Sequence, residues 1–352
     1  MKQFIVIKDI LNIRNRPSAE GDDNFIGSLI KNETVFLNEE EIIGTVPVGG
    51  KSNMWLGDNF NRFVASEGVR LKTWEDTKAE LINDLTTFWE KKTRGANVSV
   101  ALVDTGVVSG HPNLSVNLNH INIANDGDPD DPHGTRMAGL MFGKKDNKVV
   151  GLAPGIGIAE YKIFQRNGRN TKENLIEALR QIDQNPDIKL INLSLEFLKN
   201  ALSPNEKTVT DDLIRSCIEK GKIVIAATGN NNEYVMYPGS NSDVITVGAI
   251  KNNTAINFPN GIEAANVSKD PDCFIEFGNW TFCDAKSVED DERFNSSEAT
   301  AIMSSLIALK IAANPNLIQS EIKKHIKDSS TLFQTKPGLN VFKLNVRVFL
   351  NL

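Results

Sequence analysis

Residues 98–106 read VSVALVDTG, an almost unbroken apolar run that stops on a carboxylate, Asp104, and then turns at Thr105-Gly106. Three more runs of this kind follow, at LINLSL (190–195), KIVIAAT (222–228) and DVITVGAI (243–250). A strand that is apolar on both sides is buried on both faces, which is the condition of parallel strands covered by helices. The segments between them supply those helices. MAGLMFG (137–143), NLIEALRQID (174–183) and DDLIRSCIEK (211–220) carry apolar residues at helical spacing. From about Gly95 onward the chain is therefore expected to be α/β, a mostly parallel sheet flanked by crossover helices.

Upstream the texture differs. Residues 1 to about 72 give short strand-like runs, FIVIKD, LNIR, FIGSLI, TVFL, EIIGTV and RFVA, separated by turn clusters such as RPSAEGDDN and VGGKSN, with nothing helical. Between Trp74 and Lys92, Leu81, Leu85, Phe88 and Trp89 recur at helical spacing without Pro or Gly, which predicts a helix with one packing face. The expected division is a small all-β barrel at 1–72, a helical connector at 73–95 and an α/β domain at 96–352. LNIRNRPS, MWLGD and RFVASEGVRL resemble a bacterial SH3-like domain. That resemblance implies a peptide ligand, a cell-wall ligand or an intramolecular partner; a structural appendage is the other reading.

The 352 residues suffice for two domains, and 40% hydrophobic with 24% charged residues is ordinary globular composition. No apolar run approaches the roughly 18 to 20 residues that cross a bilayer. With 39 Lys+Arg against 45 Asp+Glu, the net charge of -6 offers no basic surplus to displace counterions from nucleic acid. Both membrane and nucleic acid are thus excluded as expected partners. Cys217, Cys273 and Cys283 are too few and too irregularly spaced for a disulfide scaffold or a zinc site; reduced thiols are the simple reading, and a Cys273–Cys283 bridge in an exported protein is the alternative. MKQFIVIKDILNIRNRP lacks a signal-peptide pattern, so the expected location is cytoplasmic, or exported if a signal segment has been removed.

In an open parallel sheet, reactive groups gather beyond the carboxyl ends of the strands. One such end carries Asp104 and another Gly229-Asn230, while His133-Gly134-Thr135 and Ser297 each open a helical run. A hydroxyl becomes a nucleophile at neutral pH when an imidazole takes its proton, and the imidazole needs a carboxylate to fix its tautomer. The resulting oxyanion needs aimed donors. Of the four histidines, His111 and His120 read as loop residues and His325 belongs to a late amphipathic helix; only His133 opens a helix of small residues.

The segments VALVDTGV, HGTRMAG, KVVGLAPGIGIAEYKIF, INLSL, VIAATGN, YPGS and SSEATA occur in that order, and together they resemble the subtilisin-like serine protease family over residues 96 to 340. The Asp, His, Ser order is that family's. The resemblance implies a serine endopeptidase acting on a peptide or protein substrate, with no cofactor required. It implies Asp104 as the orienting carboxylate, His133 as general base and then acid, Ser297 as nucleophile, and Asn230 with the Ser297 N–H as the oxyanion hole.

The nucleophile segment departs from the family's Gly-Thr-Ser-Met-Ala-Thr-Pro, reading Asn295-Ser296-Ser297-Glu298-Ala299-Thr300-Ala301. Aligning Ala299 and Thr300 selects Ser297 over Ser296. Asn295 stands for a glycine and, as a residue that tolerates left-handed angles, is expected to preserve the turn. Glu298 is expected to raise the His133 pKa and to repel acidic leaving groups. In the substrate pocket, Ser194-Leu195-Glu196 replaces Ser-Leu-Gly and Met236 precedes Tyr237-Pro238. A bulky Met236 implies a shallow pocket and Glu196 a neutral or basic side chain before the cut.

Two acidic stretches remain. NDGDPDDPHGT carries Asp126, Asp128, Asp130 and Asp131, which read as a solvated loop or, alternatively, as ligands of a structural calcium ion. VEDDER (288–293) is either exposed or a bias toward cationic substrates. Two competing readings stay open on sequence: a binding protein that holds peptides in the old cleft without cutting, and an esterase or amidase on the same triad.

Overall fold

The computed structural model describes residues 2–7, 10–14, 25–31, 33–37, 42–48, 52–58, 63–65, 69–71, 74–114, 118–145, 148–149, 151–166, 171–198, 200–230, 234–251, 254–256, 271–276, 280–283, 288–291, 295–334 and 340–352. RPSAEGDDN and the middle of VGGKSN lie outside these residues. The chain forms two compact units, Met1–Glu80 and Leu81–Leu352.

The first unit holds β1 (Lys2–Val6), β2 (Ile10–Arg14), β3 (Phe25–Ile30), β4 (Thr34–Leu37), β5 (Ile42–Val48), β6 (Ser52–Gly57), β7 (Phe63–Ala65) and β8 (Val69–Leu71). They pair antiparallel in two sheets, ordered β4-β1-β8 and β3-β2-β7-β6-β5. Phe4, Val6, Leu11, Leu37, Leu56 and Val64 form a common buried cluster. Before Trp74 none of the described residues is helical.

Helix α1 (Trp74–Lys91) crosses the division between the units. Its Leu81, Leu85 and Phe88 are buried, as the spacing predicts. Trp89 Nε1 donates to the Leu152 carbonyl at 3.2 Å, and Asp84 accepts from Arg347 at 2.8 Å, so the second half of the helix is fastened within the Leu81–Leu352 unit.

That unit continues with β9 (Ser99–Asp104), β10 (Leu118–Asn122), α2 (His133–Phe142), the two-residue strands β11 (Lys144–Lys145) and β12 (Lys148–Val149), β13 (Gly157–Lys162), α3 (Thr171–Gln184) and β14 (Ile188–Leu193). Then come α4 (Pro204–Glu219), β15 (Ile223–Ala227), β16 (Ile245–Lys251), β17 (Thr254–Ile256), β18 (Cys273–Glu276), β19 (Trp280–Cys283) and β20 (Val288–Asp291). The chain ends with α5 (Ser296–Ala313), α6 (Gln319–Asp328), β21 (Ser330–Gln334), β22 (Asn340–Leu344) and α7 (Val346–Leu350).

The main sheet runs β10-β13-β9-β14-β15-β16-β18-β22-β21, with β17 paired to β16 off this path. All pairings along the path are parallel except β21 with β22. The four apolar runs read from sequence are β9, β14, β15 and β16. The sequence pattern missed β10 and β13 because β10, at the sheet edge, carries only Leu118 and Ile121 as apolar residues and β13 interrupts its apolar run with Glu160 and Lys162.

Alternation along each strand sorts the two faces. Ala101, Val103, Tyr161, Ile191, Leu193, Val224 and Ala226 join Leu175, Leu179 and Ile182 of α3 and Ile214 of α4 in one core cluster. The other face meets α5, which packs beside α2. Helix α5 is buried on nearly every side, from Ser296 to Ile311, as expected of a helix without a polar face. Cys217 and Cys273 are free and buried, so Cys273 is not in the bridge considered above. Burial pushes the Cys217 thiol up to about 12 and the Cys273 thiol upward as well.

Because Leu85 is 2% exposed and Ile82, one turn away, is 44% exposed, their truncation separates packing from helix propensity. Leu85→Ala is expected to cost about 2–5 kcal/mol in chemical denaturation of the full chain. Ile82→Ala should stay within about 0.5 kcal/mol.

Candidate active site

From β9 the chain crosses to β10 on one side, and from β13 it crosses to β14 on the other, which places a crevice at the carboxyl ends of β9 and β14. Asp104 is the last residue of β9 and is 1% exposed. Its Oδ1 accepts the Thr105 N–H at 2.7 Å and pairs with His133 Nδ1 at 2.7 Å. Its Oδ2 is buried without a hydrogen-bond partner among the described residues.

Backbone chemistry explains the two short motifs that flank this pair. Thr105 Oγ1 accepts the Gly134 N–H at 3.0 Å and donates to the Asp131 carbonyl at 3.0 Å, tying the end of β9 to the start of α2. Asp131 Oδ1 accepts the His133 N–H at 2.9 Å. A Cβ on Gly134 would lie 2.5 Å from the Gly106 carbonyl oxygen. Gly106 itself has a φ of +108°, and a Cβ there would meet Lys162 at 2.9 Å and Glu160 Oε1 at 3.3 Å. Both glycines are demanded by close approach, and Gly106 also by its left-handed backbone.

Ser297 lies in the first turn of α5 and is 5% exposed. Its Oγ donates to the Ser194 carbonyl at 3.3 Å rather than to His133. The Ser194 hydroxyl donates in return to the Ser297 carbonyl at 3.0 Å and accepts from Asn192 Nδ2 at 2.9 Å. Asn192 Oδ1 accepts from Ser304 Oγ at 2.9 Å, one face of α5 further along. Asn192 and Ser304 escaped sequence reasoning; a polar residue inside the apolar run LINLSL was the available signal.

Ser296 is fully buried, and its hydroxyl faces the Gly229 carbonyl at 3.1 Å and Asn230 Oδ1 at 3.2 Å. Gly229 has a φ of +87°, and Met236 packs so tightly on it that a Cβ there would lie 2.7 Å from the Met236 side chain. Met236 is buried, as is Leu195. Phe197 N donates to the Tyr237 carbonyl at 2.8 Å, holding the Ser194-Leu195-Glu196-Phe197 segment against the segment that begins at Met236. Glu196 Oε2 accepts the Asn230 backbone N–H at 2.5 Å. Asp104 and His133 thus form one hydrogen-bonded group, and Ser194, Glu196, Asn230, Ser296 and Ser297 lie in two further hydrogen-bonded sets, with the charge of Glu298 at the start of α5 reaching His133.

Three expectations change. Asn295 is extended, with φ −142° and ψ −168°, so the loss of glycine is accommodated without left-handed geometry; it occupies the helix N-cap, where Asn is favoured. Glu298 has a role in its own helix start. It is 1% exposed, and its carboxylate accepts the Asn295 N–H at 3.0 Å as the N3 partner of its own helix start. His120 is a strand residue of β10, not a loop residue, and its Nδ1 pairs with buried Glu160 at 2.7 Å. His111 lies in a loop as expected but is buried, with Nδ1 accepting the Asn113 N–H at 3.2 Å.

The Asp-rich loop is occupied by protein donors. Asp126 pairs with Lys162 Nζ and accepts the Arg166 N–H, Asp128 accepts from Ser109 Oγ at 2.6 Å, and Asp130 lies 3.3 Å from Arg166 Nε. Among the described residues no three His, Cys, Asp or Glu side chains gather in a metal-binding group. Of VEDDER, residues 288–291 form β20 against β19, and residues 292 and 293 lie outside the described set.

Burial is the largest influence on His133 and lowers its proton affinity. The charge and hydrogen bond of Asp104, joined by the charge of Glu298, outweigh it against an opposing Arg136, so the pKa stands above its ordinary value of 6.5. Burial raises the Glu298 pKa, only partly offset by His133 and the backbone donors. With a folded pKa above the unfolded one, Glu298 favours the folded state while protonated, and that contribution fades as pH rises through the raised value.

The model of the subtilase family matches residues 95–343. Halolysin of Haloferax mediterranei is 27% identical over 266 residues, spanning 71% of this chain and 49% of its own length. Subtilisin BL of Lederbergia lenta is 25% identical over 243 residues, spanning 67% of this chain and 84% of its own. Among solved structures, the prenylagaramide maturation protease PagA superposes with a TM-score of 0.60 at 23% identity, covering 76% of this chain and 97% of that one. The chain thus spans about half the length of the first of these relatives.

The balance at His133 has a sign that NMR titration of its ring protons can read. The midpoint should lie above 6.5 in the full chain and fall below it in Asp104→Asn, where burial is no longer outweighed. In Glu298→Gln the midpoint should fall by a smaller amount. A midpoint that neither replacement moves would contradict this account.

Proposed function

Because the chain belongs to the subtilase family, we propose that it is a serine endopeptidase whose acyl-enzyme forms on Ser297. The observation that carries this reading is the 2.7 Å Asp104–His133 pair at the end of β9, close enough to the start of α5 for the Glu298 charge to act on His133. Asp104 holds the imidazole through Nδ1, leaving Nε2 as the base. On substrate binding, the Ser297 hydroxyl turns from the Ser194 carbonyl toward Nε2; such contacts commonly tighten only in the complex. His133 takes the hydroxyl proton as Oγ attacks the peptide carbonyl, and the oxyanion is received by the Asn230 side-chain amide and the Ser297 N–H at the helix start. His133 then gives its proton to the leaving amine, and water repeats the sequence on the acyl-enzyme to release the acid.

Ser297 is favoured over Ser296 because the Ser296 hydroxyl is fully buried and committed to Gly229 and Asn230. A binding-only protein has no support, since a buried carboxylate paired with an imidazole is the acid–base arrangement of a nucleophilic hydrolase. An esterase or amidase reading gains nothing from the Ser194–Phe197 segment, whose extended edge suits a peptide strand. Met236 pressed on Gly229 supports a shallow pocket, and Glu196 beside it supports small or basic side chains before the scissile bond. For the first unit, eight short strands in two sheets support an SH3-like module that docks a peptide or cell-wall ligand.

A fluorophosphonate probe should label the full chain and Ser296→Ala but not Ser297→Ala; labelling that instead depends on Ser296 would reverse the register. Asn230→Ala should lower kcat about 10²- to 10³-fold with little change in KM. In a peptide library, Ala, Ser, Lys or Arg before the cut should be preferred, and dominance of Phe or Leu there would refute the shallow pocket.

A further inference from the structure

We infer that Glu196 is a positioning residue for the oxyanion hole, acting through the backbone of Asn230; the inference rests on the proposed reading of Asn230 as an oxyanion donor. In the sequence, Glu196 is conspicuous only as a carboxylate at a pocket wall, where charge selection of substrate is the obvious role. The geometry adds a different one. Its Oε2 accepts the Asn230 N–H at 2.5 Å, a charge-assisted bond across 34 residues of chain.

That bond completes a set of restraints on one residue. The Ser296 hydroxyl reaches the Gly229 carbonyl at 3.1 Å and Asn230 Oδ1 at 3.2 Å, from the start of α5. Met236 N donates to the Thr228 carbonyl at 2.8 Å, and Thr228 N to the Val247 carbonyl at 3.0 Å. The peptide on either side of Gly229 is therefore held by the sheet and by Ser296, while the N–H that sets the direction of the Asn230 side chain is held by Glu196. The left-handed Gly229 just before it, with φ +87°, is the joint about which the loop would otherwise swing. The Ser296 hydroxyl faces the oxygen of the Asn230 amide, the atom opposite the NH₂ that the proposed reading assigns to the oxyanion.

Preorganised donors stabilise an oxyanion because they need not reorient as charge develops. A misplacement of about 1 Å in such a group can cost on the order of 10²-fold in rate. Loss of Glu196 should therefore reduce turnover even for a substrate whose side chain makes no use of a negative charge. Gln at this position retains the acceptor oxygen and loses only the charge, so it separates the two roles.

The test uses the full chain and a peptide substrate with Ala before the cut. Glu196→Ala is expected to lower kcat about tenfold while KM stays within about threefold, and Glu196→Gln to recover most of that loss. In an Asn230→Ala background, Glu196→Ala should cause no further loss, because the group it positions is gone. Hydrogen exchange by mass spectrometry should show faster exchange in a peptide containing Thr228-Gly229-Asn230 for Glu196→Ala and near-parental exchange for Glu196→Gln. An unchanged kcat in Glu196→Ala, equal losses in the Ala and Gln variants, or additive losses with Asn230→Ala would overturn the inference. Failure of the peptidase reading appears separately, as a parent protein with neither turnover nor probe labelling, and the exchange measurement then decides whether Glu196 holds Asn230.

Discussion

The start of α5 is fixed to the carboxyl edge of the sheet by a buried chain of hydrogen bonds running Ser304, Asn192, Ser194, Ser297. The helix is enclosed on nearly all sides, so its side-chain polar groups must find partners within the protein. Asn192 serves both directions, accepting from the helix with Oδ1 and donating toward Ser194 with Nδ2. This arrangement sets the height of α5 on β14 and, with it, the positions of Ser296, Ser297 and Glu298. Apolar contacts alone would tolerate a helix slid or rotated by a fraction of a turn; a row of satisfied polar groups does not.

A second economy concerns charge. The net charge of -6 suggests an acidic face, yet several of the carboxylates near the site are internal. Asp104 is paired with His133 and Glu160 with His120, while buried Glu298 caps its own helix. Burial disfavours charge on each of these acids unless a cation or an N–H stands close. The Asp-rich loop is likewise stapled by Lys162 and Arg166, which explains why it does not gather as a metal-binding set. Of the acids expected to act on substrate charge, Glu196 has one oxygen already bound to the protein, at the Asn230 N–H.

The α/β architecture was legible in the apolar runs of β9, β14, β15 and β16, because strands buried on both faces cannot hide their composition. Edge strand β10 and the polar-interrupted β13 were not, since half their positions answer to loops and partners that sequence does not place. The motif residues were legible for a related reason. Gly134 is pressed so closely on the Gly106 backbone that it admits no Cβ without displacement, and Gly106 holds a positive φ that a side chain would strain.

The sequence by itself determined the fold class and the family, because those depend on local composition and on ordered motifs, and it nominated the candidate acid, base, hydroxyl and amide. Tertiary structure alone decided what the departures mean. Asn295 needs no left-handed turn, Glu298 binds the start of its own helix, and Glu196 reaches the backbone of a residue 34 positions away. A carboxylate's role is set by which donor stands within about 3 Å of it, and folding, not sequence spacing, brings that donor there.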